Sequence, residues 1–192
     1  VFSAINLFGL ALGMTASLII FQYVRFEFSY DRFHEKSDSI YRVQHDRYID
    51  GELQYQKAQS FIPTGETMMN EYSEVEDYTT MFRISNESDI VMTHMADDGE
   101  MLRFSEKEVY HVKGDFFEVF SFPIIEGNAE LKQLEPKTAM ISQSTAKKYF
   151  GNESAIGKVI SHNYAENYKV VGVFEDIPEN AHMKFDFLFA WQ

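Results

Sequence analysis

Histidines are the first residues of this chain to test for metal or acid–base chemistry. The sequence contains six, none at a tight ligand spacing or in an H-E-x-x-H pattern: His34, His45, His94, His111, His162 and His182. The absence of cysteine excludes disulfides, thiolate metal ligands and a cysteine nucleophile. We therefore predict no metal site and assign no catalytic residue.

Phosphate-binding loops are also missing from the sequence. It contains no G-x-x-x-x-G-K-[ST], no G-x-G-x-x-G and no G-x-S-x-G pattern. Asp97, Asp98 and Glu100 resemble part of a calcium loop, but the full ligand series is absent, which favours a polar hairpin tip. We predict a chain that is not an enzyme and binds no cofactor. A membrane-anchored enzyme stays open as an alternative and would require a cleft of perturbed titratable groups.

The charge balance restricts the partners of the chain. Its net charge of −13 repels nucleic acid and anionic lipid head groups, so we expect no nucleic-acid partner. A hydrophobic content of 45% and an aromatic content of 16% predict a folded domain rather than a disordered tail.

The N-terminal stretch, residues 1–24, is the element that must position this domain. It contains no charged residue, and 24 helical residues would span about 36 Å, enough to cross a bilayer. We predict a transmembrane helix; a cleaved signal peptide is the alternative, but its apolar region is usually shorter. Gly9 and Gly13 have the small-xxx-small spacing of a helix-packing face.

Aromatic residues continue the helical period beyond this stretch. Tyr23, Phe26, Tyr30 and Phe33 are spaced by three, four and three residues, with charged residues between them. This pattern predicts a helical stalk over residues 25–36, with its aromatic side chains at the membrane interface.

The remaining sequence predicts an α+β fold with mostly antiparallel sheets. Asp50-Gly51 predicts one hairpin, and two further hairpins are expected over 90–104 and 158–175. Thr64 and Ser144 are the expected N-caps of two short helices. A last strand over 183–189 is expected to place its three phenylalanines on one face: Phe185, Phe187 and Phe189.

Three groups of segments resemble one known family. They are N-L-F-G-L-A-L-G (6–13) with F-S-Y-D-R-F-H (28–34) and I-Y-R-V (40–43); F-F-E-V-F-S-F-P-I-I-E-G (116–127); and S-T-A-K-K-Y-F-G (144–151) with I-G-K (156–158), V-V-G-V (170–173) and D-I-P (176–178). Their order and spacing resemble the MacB/FtsX-like ABC transporter permeases of Bacteroidetes-type bacteria, over the MacB-type periplasmic core domain.

This resemblance implies a domain organisation. The transmembrane helix (1–24) and the stalk (25–36) would lead into a two-lobed periplasmic domain. An α+β lobe would comprise residues 37–108 and 179–192, and a β-rich lobe, residues 109–178, would be inserted into it. Complete family members also have later membrane helices and a separate or fused ATPase, which are not in this sequence, so the chain alone should transport nothing.

The resemblance also implies function, partners and location. Family members couple ATP hydrolysis to periplasmic events such as export, lipoprotein handling or control of cell-wall hydrolases. The implied partners are the ATPase that binds ATP, a second permease copy, a periplasmic or outer-membrane protein and the inner-membrane bilayer. The alternative is an extracytoplasmic ligand-sensing domain of a signalling receptor, which shares the helix-plus-domain layout.

Overall fold

A computed structural model of the chain describes residues 2–84, 89–127, 134–163 and 166–191. It begins with helix α1 (Phe2–Glu27), whose residues are all exposed. Its 26 residues correspond to about 39 Å at 1.5 Å per residue. Among the described residues, α1 is the one helix long and apolar enough to cross a membrane.

The rest of the described chain forms eleven strands, three short α-helices and one 3-10 turn at Ser37–Ser39. The helices are α2 (Thr64–Glu71), α3 (Phe116–Val119) and α4 (Gln143–Phe150). The strands are β1 (His45–Ile49), β2 (Glu52–Lys57), β3 (Thr79–Arg83), β4 (Ile90–Met95), β5 (Met101–Glu106), β6 (Val109–Gly114), β7 (Ile124–Gly127), β8 (Thr138–Ser142), β9 (Val159–His162), β10 (Glu166–Phe174) and β11 (Phe187–Ala190). The predicted α+β class is confirmed.

Nine of these strands form one mixed sheet. Its order is β3-β6-β11-β8-β10-β9-β4-β5. β9 pairs with residues 166–169 of β10, and β7 pairs with residues 172–174 of the same strand. β8 with β10 and β6 with β11 are the parallel pairs, and the other pairs are antiparallel. The last strand therefore lies inside the sheet, between β6 and β8.

Alternating side chains of the central strands pack two separate cores on opposite faces of the sheet. In β11, Phe187 and Phe189 belong to one cluster and Leu188 to the other. We call the first the α4-side core, because Tyr149 and Phe150 of α4 pack into it. The second is the α3-side core, which contains Phe116, Phe122, Met140, Phe174, Phe185 and Leu188.

Strands β1 and β2 form a separate two-stranded hairpin. Its turn is at Asp50 and Gly51, whose φ angles of +52° and +82° are those expected of an Asp-Gly hairpin turn. The predicted hairpins β1–β2, β4–β5 and β9–β10 are confirmed.

Three local predictions need correction. Thr64 is the first residue of α2 and not its N-cap, a position that Pro63 occupies without a side-chain cap hydrogen bond. The cap of α4 is Ser142, whose Oγ accepts from the Thr145 amide; the predicted cap, Ser144, lies inside the helix. Phe185 does not share a face with Phe187 and Phe189, because β11 begins only at Phe187 and Phe185 packs into the α3-side core.

The sheet crosses the predicted lobe boundaries. β6 from the predicted insert (109–178) pairs with β3 from the first lobe and with β11 from the returning segment. The described strands on both sides of residues 108 and 178 thus share one sheet. The division into two lobes stays a prediction.

Candidate functional site at the end of the apolar helix

Helix α1 ends at Glu27, well before the end of the predicted stalk. Asp31 has a φ of +55°, a left-handed conformation that Asp tolerates better than most residues but that cannot continue a helix. Its amide donates to the Asn180 carbonyl at 3.0 Å instead of to its own helix. The predicted helical stalk is therefore corrected: residues 28–36, the juxtamembrane turn, form successive turns.

The juxtamembrane turn is tied to the loop that connects β10 with β11. Asn180 Nδ2 donates to Ser29 O at 3.1 Å and lies 3.0 Å from Ser29 Oγ. The Asp31 carboxylate accepts from the His182 amide at 3.0 Å and pairs with His182 Nδ1 at 2.7 Å. We call Ser29, Asp31, Asn180 and His182 the clasp. It joins residues 151 positions apart, at the end of an apolar helix.

Local bonds hold the partner loop in shape. The Lys184 amine donates to the carbonyl of Pro178 at 2.6 Å and to that of Glu179 at 3.2 Å. Ala181 and Phe185 are both 2% exposed, so their buried side chains hold the loop against the sheet. The clasp residues on this side are therefore presented by a braced loop.

A second attachment lies just after the clasp. Phe33 packs against Phe122, with ring centroids 5.6 Å apart, and so joins the α3-side core. His34 is 4% exposed, and its Nδ1 accepts from the Ser121 amide at 3.2 Å. The Glu35 amide donates to Ser121 Oγ at 3.0 Å. The end of α1 is thus connected to one face of the sheet by polar and apolar contacts.

The structure brings only some of the predicted stalk aromatics to the domain. Tyr30 packs on the His182 ring at 4.7 Å, and Phe26 contacts Tyr30 edge-on at 5.5 Å. Phe33 reaches the core, whereas Tyr23 is exposed on α1. Their role at a membrane interface stays a prediction.

Gly9 and Gly13 lie on the exposed surface of α1. Apart from the backbone of α1 and the adjacent residues, no atom of the described residues lies within 4 Å of a Cβ built on either glycine, so there is room on this surface for a second helix. Helix packing at these two positions stays a prediction.

Sequence reasoning missed five residues of this site: Ser29, Asp31, His34, Asn180 and His182. Their only signal was position, because three belong to the segment 28–34 and two follow Asp176-Ile177-Pro178, and both of these segments carry the family resemblance. Spacing along the chain could not pair them.

The described residues also contain a cavity beside the clasp loop. It has a volume of about 340 Å³ and is lined by Glu108, Ser144, Asp176, Ile177, Lys184, Phe185 and Asp186. Burial raises the pKa of Asp186, while its hydrogen bond with Ser142 acts in the opposite direction.

No group of three or more His, Asp or Glu among the described residues is placed to hold a metal ion. The absence of catalysis stays a prediction.

Comparison with known proteins places this geometry in context. The profile of the family described as MacB-like periplasmic core domain matches residues 3–191. A search of curated proteins gives no significant match. Among solved structures, the chain is similar to a domain of a proposed permease protein from Porphyromonas gingivalis, with 21% identity and a TM-score of 0.55. That match covers 77% of this chain and 60% of the other, so the chain spans less than two thirds of that domain.

Two further solved structures overlap in part. One is the periplasmic region of MacB from Actinobacillus actinomycetemcomitans, with 15% identity, a TM-score of 0.41 and coverage of 59% of this chain and 45% of the other. The other is the extracellular domain of the noncanonic ABC-type transporter YknZ from Gram-positive bacteria. It shows 17% identity, a TM-score of 0.37 and coverage of 65% of this chain and 60% of the other.

Proposed function

Because the chain belongs to the MacB-like periplasmic core domain family, we propose that it forms the first membrane helix and periplasmic domain of an ABC transporter permease. In this role it passes membrane-helix motion, driven by an ATPase, to the periplasmic domain. The family membership inferred from the sequence segments is confirmed, and the alternative of a receptor sensing domain is not favoured.

The clasp is the observation that carries this proposal. Only residues 28–30 separate the end of α1 from Asp31, so the hydrogen bonds to Asn180 and His182 begin directly after the helix. A helix is a stiff rod, whereas a free linker would absorb its displacement. An attached helix end instead moves the loop that leads into β11, the strand between β6 and β8.

The attachment has the chemistry of a contact that can change between two states. The Asp31 and His182 side chains are 38% and 72% exposed, so water can replace each partner when the pair opens. A motion at the membrane can select between two arrangements only if their contacts differ. The clasp, made in one arrangement and open in the other, supplies such a difference.

The partners of this function lie outside the chain. ATP would bind to a separate or fused ATPase, and a second permease copy would complete the assembly in the bacterial inner membrane. The net charge of −13 supports a domain that stands away from anionic lipid head groups. The exported or handled substrate and the periplasmic partner are left unassigned.

The proposal is tested in the intact permease, reconstituted with its ATPase and free of other cysteines. A spin label at Phe28→Cys reports the distance between helix ends in two copies, and one at Val159→Cys reports the distance between domains. Both native residues are exposed. A non-hydrolysable ATP analogue should shift both distances.

Breaking the clasp should separate the two responses. In Asp31→Ala/Asn180→Ala, the distance at Phe28 should still shift with nucleotide, whereas the shift at Val159 should be lost. Glu153→Ala is the matched control, since it removes an exposed ion pair with Lys158 away from the clasp. A nucleotide shift at Val159 that survives the double substitution contradicts the proposal.

A further inference from the structure

The ring of His34 occupies an unusual place for a titratable group. It lies at the end of the juxtamembrane turn, 4% exposed, and is surrounded by aromatic rings. Its centroid is 4.2 Å from that of Phe33, 5.2 Å from that of Phe120 and 4.9 Å from that of Phe122. A charge on this ring would be taken out of water, which is costly without a paired partner.

The hydrogen bonds of His34 specify its neutral tautomer. Nδ1 accepts from the Ser121 amide, so the single ring proton is on Nε2. Nε2 is buried and has no hydrogen-bond partner among the described residues. A second proton would have to sit on Nδ1, where it would face the Ser121 N–H as donor against donor. Protonation therefore removes the bond that joins His34 to the segment 120–122.

The charges around His34 only partly offset this cost. Within its own turn lie Asp31, Arg32, Glu35 and Lys36, and Lys36 is paired with Glu118 of α3 at 2.9 Å. Asp31 favours a charged His34 but is also bound by His182. Burial outweighs the attraction of Asp31 and lowers the pKa of His34.

We infer that His34 makes the docking of the juxtamembrane turn depend on pH, so that the turn leaves the α3-side core as the surroundings become acidic. This inference rests on the proposed function, since it assigns a regulatory input to the same attachment. A periplasmic domain shares the pH of its surroundings more directly than a cytoplasmic one. Acid would then release the second attachment of the helix end and leave the clasp to hold it alone.

Another buried histidine shows why the effect belongs to His34. His94 is 8% exposed, and its Nδ1 lies 2.8 Å from the Val159 carbonyl, to which it donates. A donor to a carbonyl stays a donor after protonation, so acid does not break that bond. The exposed His182 likewise keeps its Nδ1–H toward Asp31 when protonated. Only His34 of these three must change from acceptor to donor.

The test uses the full chain in nanodiscs of zwitterionic lipid. Since the chain has no cysteine, labels at Phe28→Cys and Val159→Cys report the position of the turn relative to the sheet without further substitutions. Between pH 7.5 and 5.0, the undocked population should grow. Its equilibrium constant should rise by up to about tenfold for each pH unit below the pKa of free histidine, near 6.5.

Two asparagine variants separate His34 from other titrating groups. His34→Asn keeps an acceptor near the Nδ1 position but does not titrate, so its distance distribution should not change with pH. His94→Asn removes a second buried histidine and should respond as the parent chain does. A pH-independent parent, or a pH-dependent His34→Asn chain, overturns the inference.

Nitrogen NMR of the parent chain provides a check that needs no variant at His34. The His34 ring should stay in the Nε2–H tautomer at pH 6, while an exposed histidine is partly protonated there. Titration of His34 at or above pH 6.5 also overturns the inference. If the nucleotide-driven domain shift needs the clasp but docking of the turn does not depend on pH, the inference fails and the proposed function stands. If acid releases the turn but nucleotide causes no domain shift, the proposed function fails and only the pH dependence remains.

Discussion

Two polar contacts, one on each side of the molecule, hold peripheral elements to the same sheet in different ways. Glu106 of β5 accepts from Lys148 Nζ at 2.7 Å and from Tyr149 Oη at 2.8 Å, which fastens α4. Asp31 accepts from His182 and fastens the juxtamembrane turn. The Glu106 side chain is 10% exposed, whereas the Asp31 side chain is 38% exposed.

The difference in exposure indicates different roles. If the Glu106 contacts open, a buried carboxylate and the Tyr149 hydroxyl lose their partners without water to replace them. Burial and the bond to Glu106 raise the pKa of Tyr149, so its hydroxyl remains a donor at physiological pH. If the Asp31 contacts open, water replaces them. We therefore expect the α4 side to be the permanent attachment and the clasp side to be the one that opens.

The largest expected effect comes from breaking the permanent attachment. Glu106→Ala should lower the free energy of unfolding by about 3 kcal/mol, because it leaves the buried Tyr149 hydroxyl without an acceptor and empties the space of a buried side chain. Urea unfolding followed through the fluorescence of Trp191, the single tryptophan, measures this change. Glu106→Gln, which keeps an acceptor, should lose less. Equal losses in both variants would assign the effect to packing alone.

Breaking the clasp should cost less and act locally. Asp31→Ala removes the acceptor of two hydrogen bonds and places Ala at a φ of +55°, for a loss of about 2 kcal/mol in docking of the turn. Hydrogen exchange should rise in residues 28–36 and 179–183. Asp31→Asn, which tolerates that φ and keeps one acceptor, is the matched control. Exchange that rises throughout the nine-stranded sheet would show that the clasp is not separable from the fold.

A third, smaller effect concerns acid and the α4 side. His111 packs beside Tyr168 and Phe189, and burial lowers its pKa. The unfolded chain therefore binds a proton more readily, so stability is lost as pH falls through about 6.5, by less than about 1.4 kcal/mol for each pH unit. His111→Asn should flatten this part of the profile. A profile that is unchanged would assign the acid sensitivity to other groups.

The smallest effect is expected at the surface pair between the juxtamembrane turn and α3. Lys36 and Glu118 pair at 2.9 Å, but their side chains are 46% and 43% exposed. Lys36→Ala should change the free energy of docking of the turn by less than about 0.5 kcal/mol. Docking in this variant should also depend less on salt concentration than in the parent chain. The Phe28–Val159 label distance measures it. A change as large as that of Asp31→Ala would show that this ion pair contributes as much to docking of the turn as the clasp does.

The elements that sequence predicted well are those whose cause is local. An uncharged run of residues predicts α1, and Asp50-Gly51 predicts the β1–β2 turn because both residues adopt positive φ. The aromatic period from Tyr23 to Phe33 extended the predicted helix too far, because Asp31 turns out of it toward Asn180. That contact joins residues about 150 positions apart, so no short-range pattern contains it.

The same reason explains the errors at the α3-side core and at the site. Phe185 alternates correctly with Phe187, yet it belongs to a loop whose course follows from the Lys184 bonds to Pro178 and Glu179. Nothing in the local sequence distinguishes Asn180 and His182 from other polar loop residues. Their contacts with Ser29 and Asp31 form only in the folded structure. Resemblance to a family identified the segments, while only the structure paired them.

The position of β11 has a consequence for how the chain is made. β6 and β8 cannot be joined until residues 187–190 are available, because β11 lies between them. Ser29 and Asp31 meet Asn180 and His182 only after about 150 further residues have left the ribosome, roughly 8–30 s at usual elongation rates. During synthesis, α1 can enter the membrane long before the clasp exists. Until then the nine-stranded sheet is incomplete, and the synthesis of β11 joins β6 to β8 just after the clasp loop has been made.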